Sequence, residues 1–255
     1  MKVSLITVCF NSAATLGGTI ESVLRQQDAD IEYIVVDGGS RDRTVEIIRE
    51  YAARTESSSV SFRWISEKDE GMYDALNKGI AMASGDIVGI IHADDRLEDE
   101  FVIRDVCAGF TDGIDCVYGD IRFVRGESNT TARYYSSRAW KPWMHNWGFM
   151  PAHPSIYVRR EVFARLGSYK LGYDISADFE WMVRLLCRNR LATRYLPRCM
   201  VTMRLGGKST AGLKAMYRLN VENVRANREN GYFCILPMML PKYFYKVLGY
   251  LRKRR

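Results

Sequence analysis

The chain has 255 residues, 47% of them hydrophobic and 26% charged, with a formal net charge of +7, a balance that argues against a disordered or low-complexity chain. The charge sits at one end: residues 213–255 carry ten Lys or Arg against two Glu, so the rest is near neutral and nothing in it suggests a nucleic-acid-binding body. Six cysteines scattered without a CxxC pair argue against a metal cluster and, with no secretory leader in view, suit reduced thiols in a cytoplasmic protein.

"VSLITVCF", at residues 3–10, is too short for the apolar core of a secretion signal and predicts a buried first strand. Asn11 or Ser12 can cap the next helix, where Leu16, Ile20, Val23 and Leu24 recur at helical spacing. "IEYIVVDGGS" predicts a second strand stopped by Asp37 and two glycines. Ser40 is the next cap candidate, before a helix with Val45, Ile48 and Ala52 on one face. "SFRWIS" predicts a third strand, residues 75–83 repeat the helical pattern, and residues 87–91 form a fourth apolar strand. Apolar strands alternating with helices predict an α/β fold, with a mostly parallel sheet covered on both faces. Ligands of such sheets collect at the carboxyl ends of the strands. Asp37, residues 67–69 and the Asp94–Asp95 pair all follow strands there.

The second half is less regular. "DCVYGDIRFVRG" predicts a strand, a turn and another strand. "SRAWKPWMHNWGFMPAHPSIYV" predicts a long loop entering a strand, and its Trp140, Trp143, Trp147 and Phe149, beside His145, suit ordinary core packing, a membrane-level belt or stacking on sugar rings. Residues 161–166 predict a short helix ended by Gly167, residues 179–188 an amphipathic helix, and "CMVTMRLGG" a strand and loop. "LGGKST", at residues 205–210, is not a P-loop, because position 202 is Thr where the first glycine belongs. In "GYFCILPMMLPKYFYKVLGYLRKRR" the longest uncharged run is about eleven residues, short of the ~20 that span a bilayer. Its aromatics and cations suit a segment lying on an anionic membrane surface, or one packed on its own domain or on a second copy as a homodimer. The resulting division is residues 1–100, 101–211 and 212–255.

Adjacent aspartates at a strand end suit a hard divalent cation such as Mg²⁺ or Mn²⁺, which takes one or two carboxylates plus substrate phosphates. Asp also starts turns and caps helices, so the pair alone leaves both readings open.

Several blocks in order resemble glycosyltransferase family 2: "SLITVCFNSAATLGGTIESVLRQQ", "YIVVDGGSRDRT", "SEKDEGMYDALNKGIAMASGD", "HADD", "HPSIYVRREVFARLGSY" and "ISADFEWMVRLL". The resemblance covers about residues 3–210 and implies a glycosyltransferase-A fold. It also implies inverting transfer from a nucleotide-diphosphate sugar, UDP favoured, to a glycan or lipid-linked acceptor in bacterial polysaccharide assembly, at the inner face of the membrane. Carried over, Thr7 and Val8 would line the base pocket with Asn11 nearby, and Asp37 would contact the pyrimidine. Asp69 would border the nucleoside, and Asp94 with Asp95 would hold ribose and metal. Asp178 would be the general base, and His153 and Arg204 would help bind the diphosphate. The chain departs from the family at His92, where many relatives carry an acid; imidazole suits Mn²⁺ better than Mg²⁺. Two rivals remain. A sugar-nucleotide nucleotidyltransferase would need a basic Gly-rich loop that "CFNSAATLGG" lacks. A degenerate membrane-bound assembly subunit would not need Asp178 and the Asp94–Asp95 pair.

Overall fold

A computed structural model describes residues 1–55, 60–126, 130–205 and 212–244. Its first half is built on β1 (Lys2–Cys9), β2 (Asp30–Asp37), β3 (Ser61–Ser66) and β4 (Ile87–Ile90), parallel and in the order β3-β2-β1-β4. Helices α1 (Leu16–Leu24), α2 (Thr44–Thr55) and α3 (Met72–Met82) connect them.

Side chains alternate across a strand, so a strand apolar at every position needs cover on both faces. Ile6 and Val8 of β1, with Ile34, Val36, Val88 and Ile90, pack with Leu76 and Ile80 of α3. Val3, Leu5 and Cys9 of β1, with Ile31, Tyr33, Val35 and Ile87, meet Leu16, Ile20 and Val23 of α1 and Ile48 of α2 on the other side. Burying each such aliphatic side chain contributes about 1.5–3 kcal/mol, which fixes both layers to the sheet.

The sheet does not stop at the middle of the chain. β8 (Ile156–Arg159) pairs antiparallel with β4, and β6 (Cys116–Val124), β9 (Thr193–Arg204) and β5 (Arg96–Leu97) follow outward, with β7 (Thr131–Tyr135) beside β6. Because β5 precedes residue 100 yet pairs with β9, no break in the sheet marks the boundary expected there. Helices α4 (Val102–Gly109), α5 (Arg160–Leu166), α6 (Ala177–Met182) and α7 (Leu213–Glu229) complete the half, with 3₁₀ turns at Pro142–Trp147, His153–Ser155 and Leu236–Met239.

Local differences from expectation have identifiable causes. Gly119 makes no turn; β6 continues through it, with a shift in its register against β9 there, and a Cβ would press into the Met200 side chain across that pair. Ser40 does not cap α2. Asp42 does, accepting from the Thr44 amide at 3.0 Å. Neither Asn11 nor Ser12 caps α1 through its side chain; the Ser12 carbonyl instead accepts the amides of Thr15 and Leu16. The amphipathic segment after α6 widens into a π turn at Val183–Arg188. All six cysteines are free. Among the described residues no helix is long and apolar enough to cross a membrane. Most of "LGGKST" and the terminal Arg/Lys cluster lie outside those residues.

Candidate active site

Parallel pairing in register brings Cys9, Asp37 and Ser66 to one level of the sheet, and the Ile6–Ile90 pairing delivers residues 92–95 to the same edge. Asp37 is fully buried there. Its Oδ2 accepts from the amides of Gly39 (3.1 Å) and Ser40 (3.0 Å) and from the Ser66 hydroxyl (2.7 Å), while Oδ1 takes the Ser40 hydroxyl. The carboxylate is thus a bracket for the β2–α2 loop and has little left to offer a pyrimidine ring. Thr7 is also placed differently from a pocket wall. It is fully buried, donating to the Ile91 carbonyl and accepting from Tyr33, both at 2.9 Å. Val8 packs under the site in the cluster that contains Tyr73. Open to solvent at this corner are Phe10 (59% exposed) and Asn11, whose Oδ1 holds the Arg41 amide at 2.9 Å. Half-buried Asp69 leans over Gly38, where any Cβ would overlap its carboxylate.

The acidic pair divides into an exposed Asp94 and an Asp95 only 1% exposed. Thr19 of α1 anchors the Asp95 carbonyl at 2.7 Å, but both Asp95 carboxylate oxygens are buried without a hydrogen-bond partner. Burial, then the Asp94 charge, pushes the Asp95 pKa well above the usual carboxylate range. Burying a carboxylate unsatisfied costs several kcal/mol, and a hard divalent cation is the species that satisfies such oxygens without a donor. The donor set therefore fits Mg²⁺ or Mn²⁺ held by one or two carboxylates. His92 does not complete a cage: among the described residues no three His, Cys, Asp or Glu converge as metal ligands. Its half-buried ring lies 5.8 Å from that of His153. Burial, then His153, holds its pKa down to about 4, so it is neutral at physiological pH; Asp94 and Asp178 act on it in the opposite sense.

Asp178 is thus within electrostatic reach of His92, two residues from Asp94. Asp178 stands in the first turn of α6, half-buried, its Oδ1 accepting from the Phe179 amide (2.8 Å) and the Tyr73 hydroxyl (3.2 Å). Burial raises its pKa, and those hydrogen bonds oppose the rise. A carboxylate with a raised pKa is a stronger proton acceptor. Tyr73 shares that one hydroxyl proton with the Ile175 carbonyl at 2.6 Å, and Asn77, one turn on, clasps the backbone of Tyr169 at 2.8 and 3.0 Å. Tyr169 in turn bonds His153 Nε2 at 2.8 Å. The sequence reading missed Tyr73, Asn77, Tyr169 and Phe10. The first two were legible as polar groups at i,i+4 spacing on an otherwise apolar helix face.

His153 and Arg204 have different neighbours. His153 belongs with His92 and Tyr169, whereas Arg204, ending β9, lines a cavity of about 430 Å³ with Asp94, Arg96, Arg122, Thr202 and Gly18. In the aromatic loop, Trp140 is core, donating to the Phe149 carbonyl at 3.2 Å, while Trp143 is 63% exposed and His145 is buried against Asn227 and Tyr232.

Comparison with known proteins bears on this arrangement. The family model for glycosyl transferase family 2 matches residues 4–167. A PGL/p-HBAD biosynthesis glycosyltransferase of Mycobacterium bovis is 31% identical over 200 residues, covering 76% of this chain and 73% of that protein. The crystal structure of S. aureus TarS 1–349 superposes with a TM-score of 0.69 at 16% identity, over 100% of this chain and 76% of that one. A TarS complex with UDP-GlcNAc gives 0.67 at 15%, with the same shares of both chains. The mannosyltransferase PcManGT from Pyrobaculum calidifontis, in complex with GDP-Man and Mn²⁺, gives 0.62 at 15% identity, over 99% of this chain and 76% of that one. The sheet is that of the glycosyltransferase-A fold, and the chain belongs to glycosyl transferase family 2.

Proposed function

We propose that this glycosyltransferase moves a sugar, with inversion, from a UDP-sugar to a hydroxyl of a glycan or lipid-linked acceptor, in bacterial polysaccharide assembly. The observation that carries the reading is the pair of orphaned Asp95 oxygens beside Asp94, with Asp94 and Asp178 both acting electrostatically on His92. Asp94 and Asp95 would hold a divalent cation, Mn²⁺ or Mg²⁺, whose charge when bound supports departure of the diphosphate. Asp178 accepts the proton of the attacking hydroxyl as the bond to the anomeric carbon forms. One base facing one leaving group suits a single displacement, hence inversion. Asn11, Asp69 and the backbone of the loop bracketed by Asp37 border the nucleoside. Arg204, in the cavity that Asp94 also lines, offers its guanidinium to the diphosphate. Neutral His153 and His92 shape the floor between donor and base.

The acceptor reaches the site from a membrane surface in this reading. Tyr217, Phe233, Leu236, Leu240 and Phe244 are exposed large apolar residues on α7 and the segment beyond it. Lys214, Arg218, Arg225 and Arg228 stand among them, and the sequence ends in "RKRR". Apolar side chains ringed by cations suit the interface of an anionic leaflet.

The decisive experiment pairs binding with turnover. UDP, GDP and dTDP are titrated with and without Mn²⁺, and Asp178→Asn is assayed beside the wild type. The expectation is Mn²⁺-dependent UDP binding in both proteins and turnover about 10²–10⁴-fold lower in the variant. Wild-type turnover from Asp178→Asn would overturn the base; metal-independent UDP binding would overturn the metal corner.

A further inference from the structure

Helix α7 follows the sheet in sequence, yet one of its faces is spent on the segment that carries Asp178. Arg225 donates to the Gly172 carbonyl at 3.0 Å, Glu229 accepts from the Tyr173 hydroxyl at 3.0 Å, and Arg218 is ion-paired with Asp174. At the centre is Glu222, 9% exposed. Its Oε1 accepts the Asp174 amide at 3.0 Å, and its Oε2 accepts the amides of Ile175 at 3.0 Å and Ser176 at 2.8 Å. Three consecutive backbone N–H groups thus converge on one carboxylate, a concave anion cradle filled by a side chain of the chain itself. Ser176 is the residue on which α6 starts, and Asp178 lies two residues further on. The Ile175 carbonyl, between two of these amides, also takes the Tyr73 hydroxyl.

We propose that Glu222 is a positioning residue for transfer: by closing the 174–176 amide cradle it fixes the start of α6, and with it the direction of the Asp178 carboxylate. The inference rests on Asp178 being the base. Both Glu222 oxygens are spent on these amides, so its loss is expected to act on turnover and leave nucleotide binding alone. Removing it strips three amides of a charged acceptor, and hydrogen bonds to charged groups contribute enough for at least a tenfold effect. Gln keeps one carbonyl oxygen, enough for the Ile175 and Ser176 amides, and turns an NH₂ against the third.

Full-length Glu222→Ala and Glu222→Gln are compared with wild type by amide hydrogen exchange over residues 172–182, by calorimetry with UDP and Mn²⁺, and by UDP release from UDP-glucose, UDP-galactose and UDP-GlcNAc. Glu222→Ala is expected to exchange residues 174–176 about tenfold faster and to lower kcat by about tenfold or more, with donor KM and UDP affinity within about twofold. Glu222→Gln should fall between Ala and wild type. Unchanged exchange at 174–176 overturns the proposal, as does equal loss of UDP affinity in both variants, which marks a merely structural role. Asp178→Asn separates the two levels. If it turns over normally, the base assignment fails and takes Glu222 with it; if it is dead while Glu222→Ala is fully active, the role of Glu222 alone fails.

Discussion

The Tyr73 hydroxyl of α3 meets the Asp178 carboxylate of α6 at 3.2 Å across 105 residues of sequence, joining the first half of the chain to the second at the proposed base. The bond favours the ionised form of Asp178 and opposes the effect of burial. Tyr73→Phe removes it, so the Asp178 pKa rises further. Turnover, which requires the ionised base, should then lose its acid limb at a higher pH than in wild type. A pH profile of kcat checks this; a limb that stays in place or moves to lower pH refutes the contact's role. UDP affinity should not change.

Asp95 carries a second prediction. Its folded-state pKa lies above its unfolded value, so the metal-free folded protein keeps a proton that the unfolded chain releases. Metal-free stability should therefore fall as pH rises through the interval above the ordinary carboxylate pKa. Asp95→Asn should flatten that fall and melt higher than wild type in chelator at neutral pH. In UDP and Mn²⁺ at about 100-fold over Kd, wild type should gain about 2.7 kcal/mol and the variant almost nothing. Thermal melts in chelator and in Mn²⁺ read both effects.

His153 behaves in the opposite sense. Burial holds its pKa near 4, below its ordinary value of 6.5, so on acidification the unfolded chain takes up the proton first. Stability should drop as pH falls from about 6.5 towards 4, by up to about 3 kcal/mol from this group. His153→Gln can keep a bond to the Tyr169 hydroxyl and should shrink the drop, measured as urea midpoints across that range.

At the far end, Phe233 and Phe244 are 76% and 75% exposed. Replacing both with Ser should reduce co-sedimentation with anionic vesicles severalfold while leaving UDP binding intact. Equal sedimentation of variant and wild type would remove lipid as the reason for their exposure.

Much of the first half was legible because its strands are largely aliphatic and end in acids or glycines. The same feature hid which way the side chains point. With both faces covered, nothing in "SLITVCF" distinguishes Thr7, locked between Tyr33 and Ile91, from a residue on the pocket wall. Gly119 was misleading for a related reason: its neighbour Met200 comes from a strand 81 positions away, and glycine spacing alone suggests a turn. Asp94, Asp95 and Asp178, to which the proposal gives the metal and base roles, stand in blocks that the family resemblance already singles out. Glu222 could not be found this way, since its partners lie 46 to 48 residues earlier and are backbone amides.

The antiparallel seam between β4 and β8 has a consequence for how the enzyme can work. On the proposed reading, Asp94–Asp95 and the helix that carries Asp178 both belong to elements of one continuous sheet and its cover, an arrangement that does not favour a clamshell motion of two lobes. Sugar or acceptor preference could then change in the connecting segments without disturbing the spacing of the proposed reacting groups.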